Sequence, residues 1–194
     1  MKIAIVGGTG PFGRALAVRL HEAGDEVVLG SRDGARAEEA AAEIGVVGAV
    51  NDEAVRGVEL VVLATNASAM LDTAGALALT SPVLSVASEL RSDESRSLAE
   101  RLADVVDVPV VAGLHSLAAG KLSGEPPDED AFVCGDDADA KGMALELAQK
   151  LVRGRAVDAG PLRSARGLEA MTAVLVAVNR RYKAHAGLRV TGLH

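Results

Sequence analysis

Short runs of Val, Ile and Leu recur along the chain and alternate with Ala-, Glu- and Arg-rich stretches whose apolar positions return at helical spacing. This is the pattern of strands joined by crossover helices in a parallel sheet. The runs predict strands over Lys2–Val6, Glu26–Gly30, Leu60–Ala64, Val83–Val86, Val108–Ala112 and Ala131–Cys134. Several have almost no polar alternation, as expected when helices cover both faces of a sheet. Helical spacing predicts helices over Phe12–Ala23, Asp33–Ile44, Ser92–Val105 and Asp137–Val152. The last carries Asp136 and Asp137 at its start and Arg153 just past its end, in keeping with the helix dipole. A final strand near Arg155–Ala159 leads through Gly160 and Pro161 into a helix over about Ser164–His185. On that helix Leu168, Met171, Thr172, Leu175 and Val178 or Asn179 fall on recurring faces suited to packing on the sheet or on a second subunit.

The expected fold class is therefore α/β: a doubly wound, mainly parallel sheet over residues 1–160, with a small C-terminal helical extension over residues 161–194, in a single unit. The acidic, turn-rich stretch from Gly124 to Asp130 reads as a surface loop within it.

Composition narrows the partners. Of 194 residues, 49% are hydrophobic and 24% charged, which places the chain among globular domains. A formal net charge of −7 repels a phosphate polymer, and one Tyr, two Phe and no Trp leave no platform for stacking bases, so nucleic acid is not an expected partner. The lone Cys134 can close no internal disulfide and no other thiol can join it in a zinc cage; no metal is expected, and a reducing, cytoplasmic setting is. The chain opens directly on Met1-Lys2-Ile3-Ala4-Ile5-Val6, without the features of a signal peptide, and no membrane association is expected.

After the first strand stands Gly7-Gly8-Thr9-Gly10-Pro11-Phe12-Gly13, in which Gly8, Gly10 and Gly13 have the spacing of a dinucleotide-binding turn. The same glycines could simply join a strand to a helix, but their place at the first βα turn of a doubly wound sheet favours cofactor binding. In that reading Gly8 allows the tight turn, Gly10 removes a side chain where the pyrophosphate approaches, and Gly13 lets helix and strand pack closely. The helix N-terminus, opened by Pro11 and Phe12, then faces the anion.

The end of the second strand would lie beside the adenosine ribose, where NAD sites usually carry Asp or Glu; this chain has Ser31-Arg32. A hydroxyl and a guanidinium suit a 2′-phosphate, which a carboxylate would repel. Arg36, one helical turn on, adds a second cation and Thr9 a further hydroxyl, so NADP(H) is favoured over NAD. Solvated arginines at the start of a surface helix are the other reading, and Asp33 is a contrary charge. Past the strand at Leu60, Ala64-Thr65-Asn66-Ala67 leaves the sheet where the diphosphate and nicotinamide ribose would lie; a plain turn into a helix explains the same residues. His115, in Ala112-Gly113-Leu114-His115-Ser116-Leu117, stands at the ligand-binding end of a strand, or is an ordinary exposed or core histidine. His21, His185 and His194 lack such a context.

Taken together these residues resemble the NADPH-dependent reductases of the deazaflavin coenzyme F(420), or F420. The resemblance rests on the Gly-Gly-Thr-Gly opening, Gly30-Ser31-Arg32, Ala112-Gly113-Leu114-His115 and Val133-Cys134-Gly135-Asp136-Asp137. It continues in Asp158-Ala159-Gly160-Pro161-Leu162 followed by Arg166, Glu169, Thr172 and Asn179. It implies a Rossmann-type domain exchanging hydride between NADP(H) and C5 of the deazaflavin, a C-terminal segment that helps close the cleft, and a homodimer. It also implies that the rings are held roughly 3 to 3.5 Å apart, with His115 or Thr172 hydrogen-bonding the deazaflavin and Ala87 among the cofactor contacts. Arg166, Arg180, Arg181, Lys183 and Arg189 are candidates for the phosphate and glutamate tail of the deazaflavin, or a solvated helix end.

The chain departs from that family at Thr65-Asn66-Ala67, over Ser85–Leu90, at Ala170 and in a shorter stretch between Ala87 and Val108. These differences face the second substrate. They keep two other functions in view: an NADPH-dependent reductase of an imine, ketone, flavin or ferric acceptor, and a non-catalytic NADP sensor.

Overall fold

A computed structural model describes residues 1–89 and 94–193. The strands are β1 (Lys2–Val6), β2 (Glu26–Ser31), β3 (Val47–Val50), β4 (Leu60–Leu63), β5 (Val83–Ser85), β6 (Val110–Gly113), β7 (Ala131–Gly135) and β8 (Ala156–Asp158). The helices are α1 (Pro11–Glu22), α2 (Gly34–Ala42), α3 (Asn51–Ala54), α4 (Ala67–Gly75), α5 (Leu98–Leu102), α6 (Ala119–Leu122), α7 (Ala138–Leu151) and α8 (Ala165–Tyr182). The strands form one sheet in the order β3-β2-β1-β4-β5-β6-β7-β8, parallel throughout except where β7 runs against β6. The α/β, mainly parallel architecture expected from the alternating runs is therefore present.

Strand β1 shows why. Ile3, Ala4, Ile5 and Val6 are all completely buried. Because side chains alternate across a strand, Ile3 and Ile5 join the layer containing Leu16 and Leu20 of α1 and Leu147 of α7. Ala4 and Val6 join the opposite layer with Met70 of α4, Leu98 of α5 and Leu168 of α8. The strand order reverses between β1 and its neighbours β2 and β4, which opens a crevice at the carboxyl ends of these strands.

Several boundaries differ from expectation. The short edge strand β3 and helices α3 and α6 were not predicted, and α4 answers to the alternative reading of Ala64–Ala67 as a turn into a helix. The helix expected over Ser92–Val105 is only Leu98–Leu102 among the described residues. Ser97 starts it with a capping box: its Oγ accepts from Glu100 N at 3.1 Å and Glu100 Oε2 accepts from Ser97 N at 2.8 Å. Ser92 itself, Leu90 of the Ser85–Leu90 segment, and His194 lie outside the described residues. Helix α8 stops at Tyr182 rather than His185, because Lys183 turns left-handed (φ 50°) and Asn179 Oδ1 accepts from Ala186 N at 2.6 Å. No described helix is long and apolar enough to cross a membrane.

Candidate functional site

The crevice at the carboxyl edge of the sheet holds three adjoining hollows. The first, of about 350 Å³, lies between Gly10, Pro11 and Phe12 on one side and Ala87, His115 and Thr172 on the other. The second, of about 200 Å³, is bordered by Thr9, Gly10, Ser31, Arg32, Arg36 and Asn51. Ala64, Thr65 and Asn66 line both and join them. A third, of about 450 Å³, continues past Ser31, Arg32 and Asn51 toward Leu77. Thirteen of the fifteen residues singled out from sequence thus share one trough; Gly8 and Gly13 do not line it.

The glycines divide by what surrounds them. Gly7 takes the left-handed conformation (φ 81°) that turns the chain out of β1. A Cβ at Gly13 would stand 2.7 Å from the Gly8 Cα, and one at Gly8 would stand 2.8 Å from the Ile5 carbonyl oxygen, so both are demanded by the protein's own packing. At Gly10 a Cβ would meet nothing closer than the Gly7 oxygen at 3.4 Å, and Gly10 itself lines both of the first two hollows. The absence of a side chain there leaves room for something other than protein. Helix α1 begins at this point with Pro11 in its first turn, no side-chain cap and no acidic residue in that turn. Its free N–H groups and positive dipole end make an anion site.

At the β2 end, Ser31 Oγ accepts from Asp33 N at 3.2 Å, which leaves the hydroxyl proton free. Asp33 caps α2, its Oδ1 accepting from Arg36 N at 3.3 Å. Arg32 and Arg36 are exposed and form no ion pair among the described residues. Neither of the first two hollows is lined by Asp or Glu. The second hollow is therefore a collection of hydrogen-bond donors and positive charge, while Asp52 and Asp72 line the third.

At the other end, Leu114 is a buried non-glycine residue with φ 66°, a strained conformation that swings the chain away from β6 and puts His115 at the wall of the first hollow. Burial pushes the His115 pKa down to about 4, against a weaker upward pull from the Ala87 backbone, and the imidazole is neutral at pH 7. Neither ring nitrogen has a hydrogen bond of normal geometry, and Thr65 Oγ1 and Asn51 Oδ1 are likewise buried without partners. His115 and Thr65 line the trough, and their orphaned polar atoms are what a polar ligand there would satisfy.

Helix α8 is held at both ends. Glu169 accepts from Leu98 N at 3.1 Å and Ala99 N at 3.3 Å at the start of α5; burial raises its pKa although these bonds pull it down. Beyond α8 the chain returns to Asp130, whose Oδ2 accepts from Val190 N at 2.8 Å. Between these anchors Thr172 Oγ1 donates to the His115 carbonyl at 2.9 Å and lies 2.8 Å from Ser88 Oγ. Of the cations considered for a substrate tail, Arg189 pairs with Asp128 and Arg166 bonds the Glu94 carbonyl. Arg180, Arg181 and Lys183 are exposed at the far end of α8.

Sequence reasoning missed Asn51 and Ser88. Asn51 follows β3, whose four residues are too few and too partly buried to stand out as a strand. Ser88 matters only because α8 comes back across it, a contact between residues 84 apart.

Residues 2–89 match the family described as NADP oxidoreductase, coenzyme F420-dependent. Over its whole length the chain is 34% identical to an F420-dependent NADP reductase of Methanothermobacter thermautotrophicus, spanning 96% of that protein. It is 31% identical to an F420-dependent NADP reductase of Methanocaldococcus jannaschii, spanning 99% of it. Both alignments run over 222 positions against a chain of 194 residues, so these relatives carry segments that this chain lacks. A crystal structure from Arthrobacter sp. FB24, described as a candidate F420-dependent NADP reductase, superposes with a TM-score of 0.86. It is 25% identical and covers 98% of this chain and 99% of that one.

Proposed function

The chain belongs to the family of F420-dependent NADP reductases, and on that premise we propose that it is an oxidoreductase moving hydride between NADP(H) and coenzyme F420 along this trough. The observation that carries the reading is the continuity of the trough. Its donor-rich end at Ser31, Arg32 and Arg36 runs past the uncapped start of α1 into the hollow beside His115.

The residues present fit the dinucleotide. Ser31, Arg32 and Arg36 would hold the 2′-phosphate, with Thr9 beside them. Gly10 and the start of α1 would hold the pyrophosphate, and Ala64, Thr65 and Asn66 the nicotinamide ribose, Thr65 Oγ1 gaining the partner it lacks. Bound NADPH supplies the hydride itself, and the deazaflavin carbon C5 receives it. The chain's part is to align and enclose the rings rather than to shuttle protons. Phe12, Val86, Leu114 and Leu117 form an apolar wall of the first hollow that excludes water. His115, neutral, offers one N–H as a donor toward negative charge developing on the deazaflavin. Thr172, whose proton is committed to the His115 carbonyl, acts by holding that residue in place.

In this reading residues 161–194 close the cleft over the second substrate, with Arg180, Arg181 and Lys183 available to its anionic tail. The chain works as a cytoplasmic homodimer; Val174 and Val176, 61% and 41% exposed on α8, support a subunit contact there.

Mixing the protein with NADPH and F420 tests the assignment. Loss of the deazaflavin's visible absorbance, matched by NADPH consumption, is the expected result. Tight NADPH binding with an unchanged deazaflavin spectrum would overturn it in favour of another acceptor or a sensor.

A further inference from the structure

We infer that Asn51 is a specificity-determining residue for the phosphorylated dinucleotide, its side-chain N–H donating to the substituent at the adenosine 2′ position. The inference rests on the NADP(H) reading above and adds a residue to it.

Register places Asn51 there. Ser31 at the end of β2 pairs with Val50 at the end of β3, so the next residue, Asn51, leaves the sheet edge beside Ser31. Asn51 is 8% exposed, and the surface it retains borders the second and third hollows together with Ser31 and Arg32. Its Oδ1 is fully buried without a hydrogen-bond partner. A Cβ built on Gly30 would stand 2.8 Å from that oxygen, so Oδ1 lies over the bare Gly30 backbone. In this orientation the amide oxygen, not the NH₂ group, packs on Gly30. The flipped orientation would press NH₂ protons against the Gly30 C–H, whereas an oxygen there makes at least a weak C–H···O contact. The NH₂ group is thereby turned toward the hollow, and it makes no hydrogen bond among the described residues.

Nothing in the protein explains this side chain. The N-cap of α3 is Val50, without a side-chain cap, so Asn51 performs no capping. A buried amide left unsatisfied is destabilising, and an apolar residue of similar size would avoid that cost. A ligand acceptor at the NH₂ group supplies the reason for an amide here, Oδ1 staying on the Gly30 side. The groups around the second hollow state which kind: the Ser31 hydroxyl proton, Arg32, Arg36 and the Asn51 N–H are all donors, no carboxylate lines it, and the nearby Asp33 carboxylate is engaged in capping α2; Asp52 and Asp72 line the third hollow instead. A cluster of donors suits a phosphate dianion better than a ribose hydroxyl.

The test is calorimetric binding of adenosine 2′,5′-bisphosphate and adenosine 5′-monophosphate, which differ only in the 2′-phosphate, to the intact protein and to Asn51→Asp. This variant keeps the shape and replaces the donor with a negative acceptor. The bisphosphate should lose roughly tenfold or more in affinity and the monophosphate less than about threefold, the range of a hydrogen bond to a charged group. Equal losses, or none, would overturn the inference. If Asn51→Asp does not fold, as judged by circular dichroism and thermal melting, Asn51→Ala carries the same comparison: a selective loss for the bisphosphate supports the inference, and equal losses or none overturn it. A wild-type protein that does not distinguish the two ligands would instead overturn the NADP(H) reading, and this inference with it.

Discussion

The Thr172 hydroxyl, in the middle of α8, donates to the backbone carbonyl of His115 just past β6 across 2.9 Å. A carbonyl can only accept, so the one hydroxyl proton of Thr172 is committed, and the Ser88 hydroxyl 2.8 Å away must donate to Thr172 rather than receive from it. A directed chain from Ser88 through Thr172 to His115 thus ties the segment after β5, the C-terminal helix and the wall of the first hollow together. Thr172→Val removes both bonds while keeping the side-chain shape. It should lower kcat/KM for F420 by about tenfold, the worth of one to two net hydrogen bonds, and leave NADPH affinity unchanged. Thr172→Ser should restore most of the loss; steady-state kinetics alongside NADPH titration makes the comparison.

His115 is neutral when folded, with a pKa near 4 against an ordinary value of 6.5. Between those values the unfolded chain binds a proton that the folded one does not, so this residue's contribution is fully present above pH 6.5 and is lost as pH falls toward 4. The shift corresponds to about 3 kcal/mol. In denaturant unfolding at pH 7 and pH 4.5, the wild type should therefore lose more stability than His115→Gln, which cannot take up the proton. Parallel losses in the two proteins would contradict the buried, neutral assignment.

Gly10 and Gly13 should separate binding from folding. Gly13→Ala drives a Cβ to 2.7 Å from the Gly8 Cα and should cost about 1–3 kcal/mol of stability, as overpacked sites do. Gly10 has φ −76° and ψ 163°, which alanine adopts readily, and its Cβ would make only an ordinary contact with the Gly7 oxygen. Gly10→Ala should cost about 1 kcal/mol or less, the usual penalty of alanine at an N-cap, yet weaken NADPH binding roughly tenfold or more by blocking the approach to α1. Thermal melting and calorimetry on both variants check the pair.

Arg32→Ala should reduce NADPH affinity by roughly tenfold to a hundredfold, the range of a charge-assisted bond, with NADH affinity changing much less. Raising the salt concentration should narrow that gap, since the guanidinium is exposed and screened by ions. Equal losses for the two dinucleotides would remove Arg32 from the 2′-phosphate site.

Much of the fold was legible because burial leaves a direct trace in the residues. Ile3–Val6 is unbroken and apolar because both faces of β1 are covered, and the limits of the strand, Lys2–Val6, match the expected ones. Edge and tertiary features left weaker traces. Val47 in β3 is 59% exposed, so its strand lacked the apolar run, and Asn51 behind it stayed unseen. The Ser97–Glu100 capping box was in plain view, but a continuous helical pattern drew the start of α5 too early. In the trough, the glycine turn and Ser31-Arg32 could be found because each is contiguous in sequence. The bond from Thr172 to the His115 carbonyl spans 57 residues and depends on how α8 is tethered at Glu169 and Asp130, which no local pattern encodes.

The orphaned atoms of Thr65 and His115 have a consequence beyond turnover. A ligand that completes them favours the native state by mass action, and the unfolded fraction exposed to proteases falls accordingly. The half-life of this protein in a cell should then lengthen when the nucleotide pool is full and shorten when it is starved, so that its abundance tracks the supply of its own reductant without any change in gene expression.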